Sequence, residues 1–204
     1  MIATHDLPSL TTVLSRVVEP IGPHPLEQLA RTTSEPIRPA AVLVPIVLRD
    51  GGAELLLTVR NANLKSHPGQ ISFPGGRVDA GDRDVGHTAL REAEEELGIR
   101  PEHVQLLGSL TLFATGTGYG VVPVVGLIPP DYPYQPAAEE VAEVFHVPLS
   151  HVLDPRNHQA CEREYQGERR RYFEIWFGDY RIWGATAGMI VGLHQRLSEM
   201  VTQT

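Results

Sequence analysis

The chain has 204 residues, of which 42% are hydrophobic and 21% are charged, so it can form a folded core and fits one domain with extensions. Its net charge of -8 disfavours nucleic acid and anionic membrane surfaces as partners. The single cysteine, Cys161, excludes an intramolecular disulfide framework and any zinc site with several cysteines.

The N-terminal segment predicts a short helix ahead of the main domain. Apolar residues recur at helical spacing after Asp6, and residues 20–38, which hold four prolines, indicate a linker. We therefore expect an N-terminal helix and linker over 1–35 and the main domain over 36–200. The chain shows neither a signal-peptide pattern nor an apolar run of membrane-spanning length, which favours a cytoplasmic protein without a membrane partner. The sequence leaves the oligomeric state open.

The remaining elements mix strands with helices and show no regular βαβ alternation. Two apolar runs flank a turn at residues 49–52 and predict a hairpin, and Ile71 to Phe73 predicts a short strand ending at Pro74-Gly75-Gly76. A helix is expected from about Asp84 to Leu97, ended by Gly98. Further strands are predicted over 104–113, 119–128, 141–149, 170–177 and 179–183, and a C-terminal helix over 184–200. This order predicts an α+β fold with a mixed sheet and helices on its faces.

The helix before Gly98 carries an unusual concentration of acids. Glu92, Glu95 and Glu96 are spaced so that their side chains project from one side, close to the C-terminal end where the helix dipole disfavours anions. Arg91 can offset only part of the repulsion, for example by pairing with Glu95. Carboxylates held together in this way indicate a divalent cation with hard oxygen ligands, Mg²⁺ or Mn²⁺. For the acidic run alone, a solvated acidic face is the alternative.

The segment around this helix resembles the Nudix box, the metal-binding loop–helix–loop of the Nudix hydrolases. The matching residues are Gly76, Asp82, Arg91, Glu92, Glu95, Glu96, Gly98 and Ile99. The usual box has Glu where this chain has Asp82, and seven residues before the Arg where this chain has eight. The resemblance implies a Nudix-like α/β/α sandwich and a pyrophosphatase whose catalytic residues are Glu92, Glu95, Glu96 and Arg91.

Within that resemblance, the metal ligands are expected to be Glu92 and Glu96, then Glu95, with the carbonyl of Gly75 joining them. Arg91 is expected to orient the carboxylates without touching substrate.

A second pattern lies upstream, where Leu56–Arg60, Leu64, Gly69 and Phe73–Gly76 are similar to the signature of the coenzyme A pyrophosphatase branch of the family. That branch also has the eight-residue gap, whereas Asn61 and Lys65 depart from its usual residues. The resemblance implies hydrolysis of coenzyme A or its thioesters, which are small polyanionic substrates. Arg60, Lys65 and His67 lie in the same stretch and could bind the substrate phosphates.

Two other functions remain open at this point. The chain could hydrolyse another nucleoside diphosphate derivative, such as NADH, ADP-ribose or a nucleoside triphosphate. It could instead be a non-catalytic module with the same fold, although all three glutamates of the box are present. The general base is open as well, with Glu139, Glu140 and Glu143 as candidates.

Overall fold

The structure, a computed structural model, describes residues 7–22, 37–165 and 167–202. Much of the expected linker therefore lies outside the described residues, and the division of the chain at residue 35 stays a prediction. The helices are α1 (Leu7–Val17), α2 (Val85–Leu97), α3 (Leu149–Val152) and α4 (Ala185–Thr202), with short 3₁₀ turns at Pro101–His103 and Pro155–Asn157.

The strands form one mixed sheet and one small antiparallel sheet. They are β1 (Arg38–Arg49), β2 (Gly52–Arg60), β3 (Ile71–Ser72), β4 (Gly75–Arg77), β5 (Gln105–Ser109), β6 (Phe113–Ala114), β7 (Tyr119–Ile128), β8 (Val141–Pro148), β9 (Gln159–Tyr165), β10 (Glu168–Phe177) and β11 (Tyr180–Trp183).

The mixed sheet is built around β1, the longest strand. Its path runs β3-β2-β1-β7-β5, with β8 paired to β2, β4 to β1 and β6 to β7. The long β1–β7 ladder is parallel and the other pairings are antiparallel. Both central strands are almost continuously apolar, as expected for strands covered on both faces.

Helices cover both faces of this sheet and confirm the expected α+β sandwich. On one face α2 packs through a stripe of small and apolar residues, Ala89, Ala93 and Leu97, all fully buried. On the other face Leu10 and Leu14 of α1 join residues of α4 in a second apolar cluster. The C-terminal stripe of Met189, Ile190, Leu193 and Leu197 is buried there too, so the helical spacing identified the inward face correctly.

Three elements were not foreseen, one of which is the short helix α3 that follows the predicted strand over 141–149. The Pro74-Gly75-Gly76 segment, interpreted as the end of a strand, continues into β4, which pairs with residues 40–42 of β1. The β9 segment has the sequence Gln-Ala-Cys-Glu-Arg-Glu-Tyr and lacks the apolar pattern of a buried strand, and it forms by pairing with β10. No helix in the described ranges is both long enough and apolar enough to cross a membrane.

Candidate active site

The ends of α2 fix where its acids lie. Asp84 caps the N-terminus by accepting a hydrogen bond from the backbone N–H of His87 at 2.8 Å. Gly98 ends the helix in the left-handed region at φ 66°, a conformation that glycine adopts without steric cost. The predicted bounds are therefore confirmed. Glu92 and Glu96 lie one turn apart on the side of the helix that faces β4.

The two glycines of β4 allow the strand to approach the helix. A Cβ atom on Gly76 would lie 2.4 Å from Oε1 of Glu92, a distance that no real side chain tolerates. A Cβ atom on Gly75 would lie 2.5 Å from the carbonyl oxygen of Ala41 in β1. A larger residue at Gly75 would push β4 away from the backbone of β1, whereas a larger residue at Gly76 would displace the carboxylate of Glu92. The paired glycines thus bring backbone polar groups next to the carboxylates of α2.

Glu96 is the most buried of the three glutamates, with only 4% of its surface exposed. Burial, together with the like charges of Glu92 and Glu140, raises the pKa of its carboxyl to about 8. Two groups oppose this shift: Arg60, whose Nη1 lies 3.9 Å from Oε1 of Glu96, and the backbone N–H of Gly75, which donates a hydrogen bond to the carboxylate. Burial also raises the pKa of Glu92 above its usual range. The site therefore holds two carboxyl groups whose charged form is disfavoured by burial and only partly stabilised by Arg60 and Arg91.

Arg91 connects the preceding loop with the acidic helix. It donates from Nε and Nη2 to the buried carboxylate of Asp82 at 3.1 and 3.0 Å, and from Nη2 to the carbonyl of Arg77 at 3.0 Å. Its Nη1 reaches Glu92 at 2.9 Å and Glu95 at 3.3 Å, which includes the i,i+4 pair anticipated from the sequence. The Arg91 guanidinium holds the pKa of Asp82 well below its ordinary value. Arg91 is thus in a position to orient the carboxylates.

The structure separates the three glutamates more than their spacing suggested. The side chain of Glu95 is 60% exposed, whereas Glu96 points inward and Glu92 lies between these extremes at 17%. Among the described residues, no group of three or more His, Cys, Asp and Glu side chains is assembled to hold a metal ion. Two carboxylates are therefore in place, and a third ligand from an exposed acid would have to turn toward them.

The chemistry of the pair Glu92 and Glu96 nevertheless fits a hard divalent cation. Both are anionic oxygen donors whose burial penalises their charge, and a cation between them would relieve that penalty. The Nε of Arg60 is buried without a hydrogen-bond partner, so the guanidinium of Arg60 neutralises the carboxylate pair only in part. A site with two incompletely balanced buried carboxylates is suited to Mg²⁺ or Mn²⁺.

The residues predicted to bind substrate do not share one environment. Arg60 ends β2 and turns toward Glu96, so its charge acts on the carboxylate pair. Lys65 is exposed in the loop between β2 and β3. His67, also exposed, adopts the left-handed region at φ 56° and its Nδ1 lies 2.9 Å from Oε1 of Gln70. Only Lys65 and His67 thus lie in the irregular loop where all three were expected.

The candidate bases are also separated. Glu140 is close enough to Glu92 and Glu96 to raise the pKa of both, and its carbonyl accepts a hydrogen bond from the backbone of Asn61. Glu143 instead accepts a short hydrogen bond from the hydroxyl of Tyr180. Glu139 is exposed. Of the three, only Glu140 is coupled to the acidic pair.

Sequence reasoning underrated Asp82, because it departs from the Glu of the usual box. Its side chain is 2% exposed and also accepts hydrogen bonds from Oγ1 of Thr88 at 2.8 Å and the backbone N–H of Asp79 at 2.9 Å. The signal was present in the sequence, since an acid separated from Gly76 by five residues precedes an arginine on the helix. The shorter side chain still reaches Arg91.

Comparison with known proteins relates the chain to one family. The family model described as the NUDIX domain matches residues 37–173. A protein of Enterobacter sp. (strain 638), named as an uncharacterized Nudix hydrolase, NudL, is 45% identical over 153 residues, which is 75% of this chain and 79% of that protein. A protein of the same name from Escherichia coli O1:K1 is 46% identical with the same coverage.

Solved structures share the fold at low sequence identity. A C. elegans Ap4A hydrolase in a binary complex superposes with a TM-score of 0.52 at 19% identity, covering 81% of this chain and 99% of that one. A Nudix hydrolase from M. smegmatis, RenU, gives a TM-score of 0.52 at 21% identity, covering 81% and 86%. These likenesses concern the fold.

Proposed function

Because the chain belongs to the Nudix hydrolase family, we propose that it hydrolyses the diphosphate linkage of coenzyme A or its thioesters. The products would be 4′-phosphopantetheine, or its acyl form, and adenosine 3′,5′-bisphosphate. The observation that carries the hydrolytic part is the buried pair of Glu92 and Glu96 against Gly76. The choice of coenzyme A depends on the Leu56–Arg60 and Phe73–Gly76 pattern upstream of the box.

In this proposal Glu92 and Glu96 would hold Mg²⁺ or Mn²⁺, with Glu95 and the Gly75 carbonyl as further ligands. Such an ion would supply charge neutralisation of the diphosphate and a lowered pKa for an attacking water. Since the side chain of Glu95 is largely exposed, its contribution requires a change of rotamer toward the pair. Glu140, the acid coupled to the pair, is the strongest of the candidate bases for the attacking water. The charge of Glu140 raises the pKa of Glu92 and Glu96, and this proximity supports Glu140 over Glu139 and Glu143.

Arg91 is a positioning residue. Its guanidinium is anchored by Asp82 at one end and contacts Glu92 and Glu95 at the other, so it limits the rotamers that these carboxylates can adopt. This role requires no contact with substrate.

The loop from Arg60 to Gly69 is proposed to recognise the coenzyme A portion. It leads through β3 directly to Gly75-Gly76, and Asn61 ties it to the segment that carries Glu140. Arg60 would screen the diphosphate beside Glu96, while the exposed Lys65 and His67 would contact phosphate groups farther from the metal ligands. A chain with net charge -8 needs such local cations to bind a polyanion. We place this reaction in the cytoplasm, with no nucleic-acid or membrane partner.

Product analysis tests the proposal. The protein would be incubated with coenzyme A, NADH, ADP-ribose and a nucleoside triphosphate in Mg²⁺ or Mn²⁺, and the fragments identified by mass spectrometry. Preferential cleavage of coenzyme A into the two phosphorylated halves would support it. Preferential cleavage of NADH, ADP-ribose or the triphosphate would change the proposed substrate but not the proposed metal ligands. No turnover of any of them would favour a non-catalytic module.

A further inference from the structure

Three residues at one end of the mixed sheet form a cluster unrelated to the acidic pair. Arg38 begins β1, Arg77 ends β4 and Tyr119 begins β7. In the two ladders Arg38 lies opposite Tyr119 and Ala40 lies opposite Arg77. Because directly opposed residues share a face and residues two apart on a strand do too, all three side chains emerge from the same face.

The two guanidinium groups meet on the ring of the tyrosine. The Cζ of Arg38 lies 4.0 Å from the ring centroid of Tyr119, and that of Arg77 lies 5.4 Å from it. Arg77 Nε donates to the Tyr119 hydroxyl at 2.8 Å, and Arg38 Nη2 donates to the carbonyl of Thr117 at 2.7 Å. These contacts restrict both long side chains while leaving most of their N–H donors unused by the described protein groups.

Within residues 7–22, 37–165 and 167–202, neither Arg38 nor Arg77 forms an ion pair with a carboxylate. Several other arginines do form such pairs, among them Arg49, Arg60, Arg91, Arg100, Arg156, Arg171, Arg181 and Arg196. In a chain of net charge -8, two adjacent cations without a carboxylate repel each other and attract an anion.

We propose that Arg38, Arg77 and the hydroxyl of Tyr119, together the arginine–tyrosine cluster, bind a phosphate monoester group. A guanidinium donates two parallel hydrogen bonds to phosphate oxygens, and two such groups balance the dianion. The tyrosine hydroxyl accepts from Arg77 and keeps its own hydrogen to donate to a third oxygen. Both arginines are exposed at the end of their strands, so a ligand can reach them from solvent.

The cluster is separate from the carboxylate site, although the two share a strand. Gly76 faces Glu92, whereas Arg77 is the next residue and its side chain emerges from the opposite face of β4. The carbonyl of Arg77 accepts from Arg91, so its backbone belongs to the hydrolytic site while its guanidinium does not. Substituting the Arg77 side chain therefore removes the cluster without removing a metal ligand.

The ligand could be the phosphate monoester of a bound substrate or a free phosphate, and both have the same chemistry. Metal-free, full-length protein is titrated by calorimetry with adenosine 3′,5′-bisphosphate, adenosine 5′-monophosphate and inorganic phosphate. Arg38→Gln and Arg77→Gln should each weaken binding of the bisphosphate about 10- to 100-fold, and Tyr119→Phe about 3-fold. Arg100→Gln, at an exposed arginine outside the cluster, is the matched control and should bind as the wild type does.

The pattern across ligands distinguishes the sources. If the Gln variants lose affinity only for the bisphosphate, the cluster binds a 3′-phosphate. If they lose affinity equally for all three ligands, the cluster binds free phosphate. Both results support the site. Wild-type affinity in both Gln variants, or no binding of any ligand by the wild type, would overturn the proposal. Because no metal is present and no bond is broken, this outcome is independent of the substrate-cleavage assay.

Discussion

Removing the charge of Asp82 should destabilise the fold and release Arg91. Its buried carboxylate accepts two hydrogen bonds from Arg91, one from Thr88 and one from the backbone of Asp79. Hydrogen bonds to charged groups contribute about 1.5–3 kcal/mol each, but Asp82→Asn keeps one acceptor oxygen and water can reach the partly exposed Arg91. We therefore expect a loss of about 2–3 kcal/mol in unfolding free energy. In a chain of this length that corresponds to a fall in Tm of roughly 5–10 °C.

The pH dependence separates this ion pair from a simple packing effect. Arg91 lowers the pKa of Asp82 in the folded protein relative to its value of 3.8 in the unfolded chain. A lowered carboxyl pKa contributes stability that is fully present above the unfolded value and is lost as pH falls toward the folded value. The gap between wild type and Asp82→Asn should therefore be constant from about pH 5 to 8 and narrow below about pH 4.

Urea unfolding at pH 7.0 and pH 3.5 measures both quantities. Asp50→Asn removes the same charge from an exposed turn and should change the unfolding free energy by less than about 0.5 kcal/mol. An unfolding free energy of Asp82→Asn equal to that of the control at pH 7.0 would contradict a stabilising role for the Asp82–Arg91 ion pair. So would a difference between wild type and Asp82→Asn that stays constant down to pH 3.5.

Four further predictions concern the carboxylate site and the substrate loop. Gly76→Ala places a methyl group against the Glu92 carboxylate and should lower kcat about 100-fold or more in steady-state assays, whereas Gly81→Ala, in open space in the same loop, should stay within about twofold. Mn²⁺ should raise the Tm of the wild type but not that of Glu96→Gln. Without metal, the raised pKa of Glu96 means that wild-type stability falls as pH rises from about 5 to 8. Glu96→Gln should lack this fall in a pH series of unfolding curves. Lys65→Ala should reduce the preference for coenzyme A over dephospho-coenzyme A in kcat/KM, with unchanged Mn²⁺ affinity; an unaltered preference would exclude Lys65 as a phosphate contact.

Local patterns predicted the acidic helix well. Its bounds follow from Asp84 and Gly98, and its buried stripe from residues four apart, all of which are encoded within 15 consecutive positions. The spacing of Glu92 and Glu96 likewise places them one turn apart whatever surrounds the helix.

Contacts between residues far apart in the sequence determine which side chains face the site, and local patterns do not predict them. Glu96 differs from Glu95 in exposure because β4 packs beside it, and β4 lies there because it pairs with β1 more than 30 residues earlier. Arg60 faces Glu96 at the end of β2, where the pairing with β8 shifts register between Val59 and Arg60, an irregularity that no local pattern predicts. The arginine–tyrosine cluster joins residues from three strands, and its spacing along the chain carries no periodic signal.

We expect Glu92 and Glu96 to support a metal-dependent cleavage of coenzyme A at its diphosphate. Phosphorus NMR of a reaction with coenzyme A and Mn²⁺ follows the loss of the diphosphate signals and the appearance of two phosphate monoesters. We expect the wild type to form 4′-phosphopantetheine and adenosine 3′,5′-bisphosphate. The rate of coenzyme A cleavage should be about a thousandfold lower with Glu96→Gln at saturating Mn²⁺. Intact coenzyme A after prolonged incubation with the wild type, or near-normal turnover by Glu96→Gln, would contradict it.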